Sequence, residues 1–200
     1  MKKISLFLCA LVFSFALYAQ KSSMGLKAGV NISNLSNSSG YDMGSKVGFH
    51  GGLLAHIHLV PSLALQPEVM YSSQGAKYTT SDGNEHTLSL NYVNIPLQLQ
   101  YMFNNGFRIQ TGPQVGFLAQ VKDKVKETET GFFTSQDFKT VDLSWSAGLG
   151  YLSYSGLGID ARYNFGISDI NNAGNNVLKN NVFQLGVFYM LKNNHKAMSR

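Results

Sequence analysis

Apolar and polar residues alternate with a period of two in eight separate segments of the chain. In the first, Met24, Leu26, Ala28, Val30 and Ile32 alternate with glycine, lysine, asparagine and serine. This alternation is typical of a β-strand with one apolar face. The predicted strands are 24–33, 46–59, 63–74, 93–103, 107–117, 141–151, 157–168 and 183–191. Eight strands are the number found in the smallest common closed membrane barrel.

The connections between these strands alternate in length. Short turns are predicted at 60–62, 104–106 and 153–156, and long polar loops at 34–45, 75–87, 120–140 and 169–181. In outer-membrane barrels the short turns face the periplasm and the long loops face outside. We therefore expect both termini to lie on the periplasmic side.

The composition of the polar face indicates which face points outwards. A soluble ligand-binding barrel also alternates, but its exterior is polar and about 25–35% charged. Here the polar face carries few charges and many glycines, which relieve crowding inside a narrow barrel. Leu54, Phe188 and Met190 are apolar exceptions on it. The sequence thus predicts an all-β protein, an eight-stranded antiparallel up-and-down transmembrane β-barrel with its apolar face in lipid.

Overall composition agrees with this prediction. Only 14% of the residues are charged, against about 25% in an average soluble domain. Large aromatic residues occur near both ends of the apolar face, as in interfacial girdles. They are Phe49, Tyr71, Phe117, Phe165 and Phe183 towards the long loops, and Tyr101, Phe103, Phe107, Tyr151 and Tyr189 towards the short turns.

The N-terminus has the layout of a secretory signal peptide. Two lysines precede an apolar run at 4–17, and Ala19 offers a small residue for cleavage. The predicted organisation is a signal peptide at 1–19, a barrel domain at 20–192 and a periplasmic tail at 193–200. Cleavage would remove Cys9, the single cysteine. The mature protein would then have no cysteine for a disulfide or for thiol chemistry. Cleavage would also leave fourteen basic against eleven acidic residues, a net charge of +3 with no basic stripe for nucleic acid.

Several stretches are similar to a known family. They are Gly25–Asn31, Leu65–Glu68, Tyr92–Leu97, Gly112–Gly116 and Arg162–Gly166. With these motifs the chain resembles the outer-membrane β-barrel domain of Bacteroidota known as PorT-like or porin-family protein. The resemblance covers the mature chain and implies an integral outer-membrane protein. It also implies a link to secretion across the outer membrane, but no residue here carries that role over.

The end of the last strand departs from the usual pattern of such barrels. They end on an aromatic residue, whereas here 193–200 follow Leu191. Insertion by the barrel-assembly machinery would then rely on an internal signal, 188–191. We expect a monomer surrounded by outer-membrane lipid.

Charged residues on the polar face predict an internal network. Glu68, Arg108, Asp160 and Arg162 point inwards, where opposite charges pair and would plug the lumen. An open pore is not expected, because aqueous channels belong to barrels of about 16 strands. A proton or ion path through the network is the alternative.

Two histidines on the polar face are weak candidates for a metal site. His56 and His58 lie two residues apart, with Glu68 on the next strand as a third ligand. Two histidines without a defined third ligand are a weak signal, so we predict hydrogen-bonded packing and no cofactor.

The long loops carry the remaining candidates. Phe132 and Phe133 lie in the longest and most charged loop, as a contact surface for an external partner or as a solvated tip. Asp82, His86 and His50, with nearby serines, are candidates for a hydrolytic constellation, but loops of this composition are ordinary solvated turns.

The predicted function is therefore that of a non-enzymatic outer-membrane barrel with a closed polar lumen. Its external loops are expected to bind surface material or an extracellular or secretion-system protein. The alternatives are a conductor of small solutes or ions and a lipid-modifying enzyme. A third alternative is a soluble periplasmic ligand binder.

Overall fold

The computed structural model describes residues 22–37, 43–80, 83–125, 132–172, 174 and 176–191. The predicted signal peptide at 1–19 and tail at 193–200 lie outside the described residues. Among the residues described, no helix is both long and apolar enough to cross a membrane.

The described residues form a single closed sheet. Its strands are β1 (Ser22–Asn37), β2 (Gly44–Val60), β3 (Leu63–Thr79), β4 (Glu85–Met102), β5 (Phe107–Val125), β6 (Val141–Leu152), β7 (Leu157–Gly166) and β8 (Leu178–Met190). Each strand pairs antiparallel with the next, and β8 pairs with β1 from Gly25 and Met190 to Asn37 and Leu178. The ring confirms the predicted eight-stranded up-and-down barrel.

Apolar side chains cover the outside of the barrel. On β4, the outward-facing Val93, Leu97 and Tyr101 are 37–47% exposed, whereas the inward-facing Asn94 and Gln98 are at most 3% exposed. The outward apolar residues of β4 continue over the length of about 9–11 residues that a tilted strand needs to cross a membrane. The apolar face therefore points outwards, as predicted, and forms a belt around the barrel.

The two ends of the barrel differ. One end carries the tight turns at 61–62, 104–106 and 153–156 and is called the turn end. The other carries the longer connections and is called the loop end. Near the turns, glycine is needed at Gly106 and Gly156, where φ is 89°, because side chains are strained there.

Three strands extend further at the loop end than the sequence predicted. The expected loops 75–87 and 120–140 contain strand residues up to Thr79, from Glu85 and up to Val125. The outward side chains there are polar, so apolar and polar residues no longer alternate along the sequence, although the backbones of the strands stay paired. We call 75–79, 85–91 and 119–125 the wall extension.

A β-bulge changes which residues of β5 point inwards. Tyr92 pairs with Leu118, but Asn91 pairs with Gln120, so Ala119 is an extra residue on β5. Beyond it the odd-numbered residues face the lumen, and Asp123 is buried.

Candidate functional site

The centre of the lumen holds a buried cluster of four charged side chains. Arg162 donates two hydrogen bonds to the Glu68 carboxylate, at 2.9 and 2.5 Å, and its Nε lies 3.1 Å from an Asp160 oxygen. Lys27 donates to Asp160, and its Nζ lies 4.0 Å from Glu68. The structure thus brings together three of the four predicted residues and adds Lys27. The fourth predicted residue, Arg108, has no ion-pair partner among the described residues.

Arg108 lies nearer the turn end and is linked to the cluster through amides. It donates to Gln100 Oε1 at 3.2 Å, and its guanidinium carbon lies 5.7 Å from the centre of the Phe188 ring. Gln100 donates to Gln110 at 2.9 Å, and Gln110 donates to Asp160 at 3.3 Å. Arg108 therefore contacts an aromatic face and an amide, both of which favour a cation.

An apolar floor closes the lumen at the turn end. Leu54, Leu152, Phe188 and Met190 form one cluster, and each is at most 7% exposed. Leu54, Phe188 and Met190 are the apolar exceptions on the polar face that the sequence predicted. They pack together inside the lumen near the turn end, because an eight-stranded barrel is only wide enough for packed side chains.

A layer of amides and hydroxyls lies on the other side of the cluster. Asn31 donates to Ser72 Oγ at 3.0 Å and accepts from Gln184 at 3.0 Å. His50 Nδ1 lies 2.7 Å from Asn31 Oδ1. Gly29 leaves room for the His50 ring, since a Cβ at that position would collide with it. These contacts tie β1, β2, β3 and β8 together inside the barrel.

An apolar cap closes the lumen at the loop end. Phe138 and Ile170, from the two loops between β5 and β6 and between β7 and β8, insert into the barrel mouth. They pack with inward-facing residues of the strands, and the buried members of the cap are Leu35, Ala76, Leu88, Leu90, Tyr92, Phe138 and Ile170. The lumen therefore has a charged and polar interior between two apolar layers.

The two capping loops are bound to each other. Phe138 forms an isolated β-bridge with Asn171, and the Lys139 backbone N–H donates to the Ile170 carbonyl at 2.8 Å. The Lys139 side chain donates to Asp169 at 2.7 Å. The loops thus cover the mouth as one unit.

Asp169 fixes the second of these loops. The backbone N–H of Leu178, the Lys139 ammonium and the backbone N–H of Asn171 hold the pKa of this partly exposed carboxylate at about 2, below its ordinary value of 3.8. The charged form therefore stabilises the folded loop.

Phe132 and Phe133 are anchored on the wall extension by Asp123. One Asp123 oxygen accepts from the backbone N–H groups of both phenylalanines, at 3.0 and 3.4 Å, and from the Tyr78 hydroxyl at 2.6 Å. Tyr78 stacks on His86 at 4.7 Å, and the His86 ring is 5.6 Å from that of Phe132. Burial and the neighbouring carboxylate raise the pKa of Tyr78 above its ordinary range. Phe132 nevertheless keeps 73% of its surface exposed.

The candidate metal ligands lie near the turn end. The His56 and His58 rings meet edge to face, with centres 4.7 Å apart. Both oxygens of Glu68, the suggested third ligand, accept from Arg162. Within the described ranges, no group of three or more His, Cys, Asp or Glu residues is placed to hold a metal ion.

The candidate hydrolytic residues belong to different layers. His50 lies in the amide layer, and His86 lies in the wall extension, where its Nδ1 is 3.5 Å from Asp123. Asp82 lies outside the described residues.

Sequence reasoning missed Lys27 and Asp123 as site residues. Lys27 shares the inward face with the glycines of β1, and this position was a usable signal for it. Asp123 carried no such signal, since the bulge at Ala119 reverses the alternation that would have identified its face.

Comparison with solved structures shows barrels of the same fold. Neisserial surface protein A (NspA) has a TM-score of 0.56 and 16% identity, over 84% of this chain and 97% of that chain. Ail, the attachment invasion locus protein of Yersinia pestis, has a TM-score of 0.51 and 16% identity, over 85% of this chain and 99% of that chain. At this identity the likeness shows the fold alone.

Sequence comparison provides the family. No curated protein matches the chain. The family model described as outer membrane protein beta-barrel domain matches residues 18–172, most of the chain. The closed ring of eight strands, its apolar belt and this match agree, and the chain belongs to the outer-membrane β-barrel domain family.

Proposed function

We propose that this protein is a non-enzymatic outer-membrane barrel with a closed lumen, whose loop end faces outside and contacts a partner. The partner is surface material or an extracellular or secretion-system protein. The observation that carries the closed lumen is the layered interior, in which an apolar floor and an apolar cap enclose the ion-paired centre. Water and ions would have to cross both apolar layers to pass.

The proposed orientation is supported by the unequal ends of the barrel. Longer connections and the wall extension lie at one end, and tight turns lie at the other, as in barrels whose long loops face outside. Both termini of the sheet are at the turn end, so they would face the periplasm.

The proposed contact surface is supported by the aromatic residues at the loop end. Phe132 is exposed, yet its backbone is held by Asp123 and its ring lies against His86. A held aromatic side chain binds at low cost in conformational entropy. Ail, a barrel of the same fold and an attachment invasion protein, has been solved in complex with a heparin analogue.

Recording across planar bilayers tests the closed lumen. We expect purified protein to produce no discrete conductance steps, because the lumen is filled. Reproducible conductance steps that change with Glu68→Gln or Arg108→Gln would refute the closed lumen.

Lipid analysis tests the non-enzymatic role. A change of lipid species in a deletion strain, measured by mass spectrometry, would refute that role.

Labelling of single cysteines tests the proposed orientation of the barrel. A membrane-impermeant maleimide on intact cells should label Ser135→Cys at the loop end and leave Tyr154→Cys at the turn end unlabelled. The reverse pattern would overturn the orientation.

Photo-crosslinking tests the proposed contact surface. A photo-crosslinking residue at position 132 should capture a partner on intact cells, whereas the same residue at 154 should not. Equal capture at both positions would argue against a contact surface.

A further inference from the structure

A shallow cavity of about 490 Å³ opens on the lipid-facing wall of the barrel. It lies on β1, β8, β7 and β6, with Phe107 of β5 at one end. Its outward-facing lining is apolar and includes Ala28, Val30, Leu149, Ile159, Ala161 and Leu185. The cavity is thus part of the apolar belt, the surface that an outer-membrane barrel presents to lipid.

Strand register explains the shape of this cavity. Its lining side chains stand in two rows that run across the strands, each residue opposite the next. One row is Ala28, Val187, Ile159, Tyr151 and Phe107, and the other is Val30, Leu185, Ala161 and Leu149. Each row contains one alanine among larger side chains, and the volume missing at the alanines forms the hollow.

The length of the rows matches one hydrocarbon chain. The first row crosses four strand spacings of about 4.8 Å, or roughly 19 Å along the curved wall. Strands of such barrels tilt by about 40°, so a row perpendicular to them climbs about 12 Å through the membrane. One leaflet contributes about 15 Å of hydrocarbon. An acyl chain from a single leaflet therefore fits the path.

The position of the rows indicates the leaflet. Phe107 is the first residue of β5 and Tyr151 is next to the last of β6, so this end of the cavity is at the turn end. The turns 61–62, 104–106 and 153–156 contain no Asp, Glu, Lys or Arg. Within the part of the chain that the structure describes, these turns hold no charged group for a headgroup, so the argument for binding is made from the tail.

We propose that this cavity binds one acyl chain of a glycerophospholipid from the leaflet at the turn end. The bound chain covers Ala28 and Ala161 and completes the outer wall over β1, β8, β7 and β6. The contacts that hold the lipid are those between its tail and the apolar lining.

The lipid retained by purified protein tests this proposal. Protein extracted in detergent and washed extensively is analysed for bound phospholipid per barrel by mass spectrometry. We expect about one molecule on the wild type. Ala161→Leu fills the hollow and should lower retention about tenfold, the effect of removing apolar cover from about two methylene groups. Ala28→Leu fills the other row and provides an independent variant.

Ala147→Leu is the matched control. Ala147 also faces lipid on β6, but it pairs with Thr111 and Tyr163 and lies outside the cavity. It should retain lipid like the wild type. Equal retention by Ala161→Leu, Ala28→Leu and Ala147→Leu would overturn the proposal. Dimers that Ala161→Leu separates in native mass spectra would overturn it in favour of a second copy.

Discussion

Replacement of Glu68 by glutamine measures how strongly the buried ion pairs stabilise the barrel. Glutamine keeps the shape of the side chain but removes the charge that faces Arg162 at 2.9 and 2.5 Å and Lys27 at 4.0 Å. Loss of one partner from a buried ion pair costs about 3–5 kcal/mol, because the other charge stays buried without compensation. Asp160 still faces both cations, so we expect a cost near the lower limit, about 3 kcal/mol.

Glu85→Gln is the control for this substitution. Lys77 and Glu85 form an ion pair of similar length, 2.7 Å, but their side chains are 48% and 61% exposed. Exposed pairs contribute about 0–1 kcal/mol. The two variants remove the same chemical group from opposite environments, so the difference between them measures the effect of burial.

Urea unfolding in detergent micelles provides the assay. Trp145, the single tryptophan, faces outwards on β6 and reports the loss of the apolar environment on unfolding. The double variant Glu68→Gln/Arg162→Gln should cost less than the sum of its single variants, since the pair is coupled. A free energy of unfolding for Glu68→Gln equal to that for Glu85→Gln would refute the argument that the buried charges depend on each other.

Three further predictions concern the loop end and the belt. The depressed pKa of Asp169, about 2 against 3.8, means that its carboxylate stabilises the fold above its ordinary pKa and loses this effect as the pH falls towards 2. Asp169→Asn should therefore flatten the fall in unfolding free energy between these values. Asp123→Asn removes the charge that accepts three hydrogen bonds, so trypsin should cleave after Lys124 faster than in the wild type, and an unchanged rate would count against the anchor. Bilayers of brominated lipid should quench Trp145, which is 46% exposed on the belt, and unquenched fluorescence would place it away from hydrocarbon.

The sequence was sufficient to predict the barrel because the period of two assigns every strand residue to one of two faces. Glycine and amides on one face and apolar residues on the other then decided which face points outwards. The same logic failed in the wall extension, where outward residues such as Lys77 and Lys122 are polar and the strand continues without an apolar signal.

The long separation of contacting residues along the chain also limited what the sequence could predict about contacts inside the lumen. Arg162 and Glu68 are 94 residues apart, and Lys27 and Asp160 are 133 apart. They meet across the lumen because each strand pair has a fixed register, and the offsets between neighbouring strands together set the relative heights of distant strands. A register shift, such as the bulge at Ala119, changes the height at which side chains face each other.

The sequence by itself therefore determined the eight strands outside the wall extension and which face of each points outwards, since these depend on local alternation. Only the tertiary structure decided that Arg108 meets Phe188 instead of a carboxylate, that Phe138 and Ile170 cap the mouth, and that Lys27 enters the cluster. The physical reason is that closure of the ring fixes the relative heights of distant strands, and those heights select which buried charges can pair.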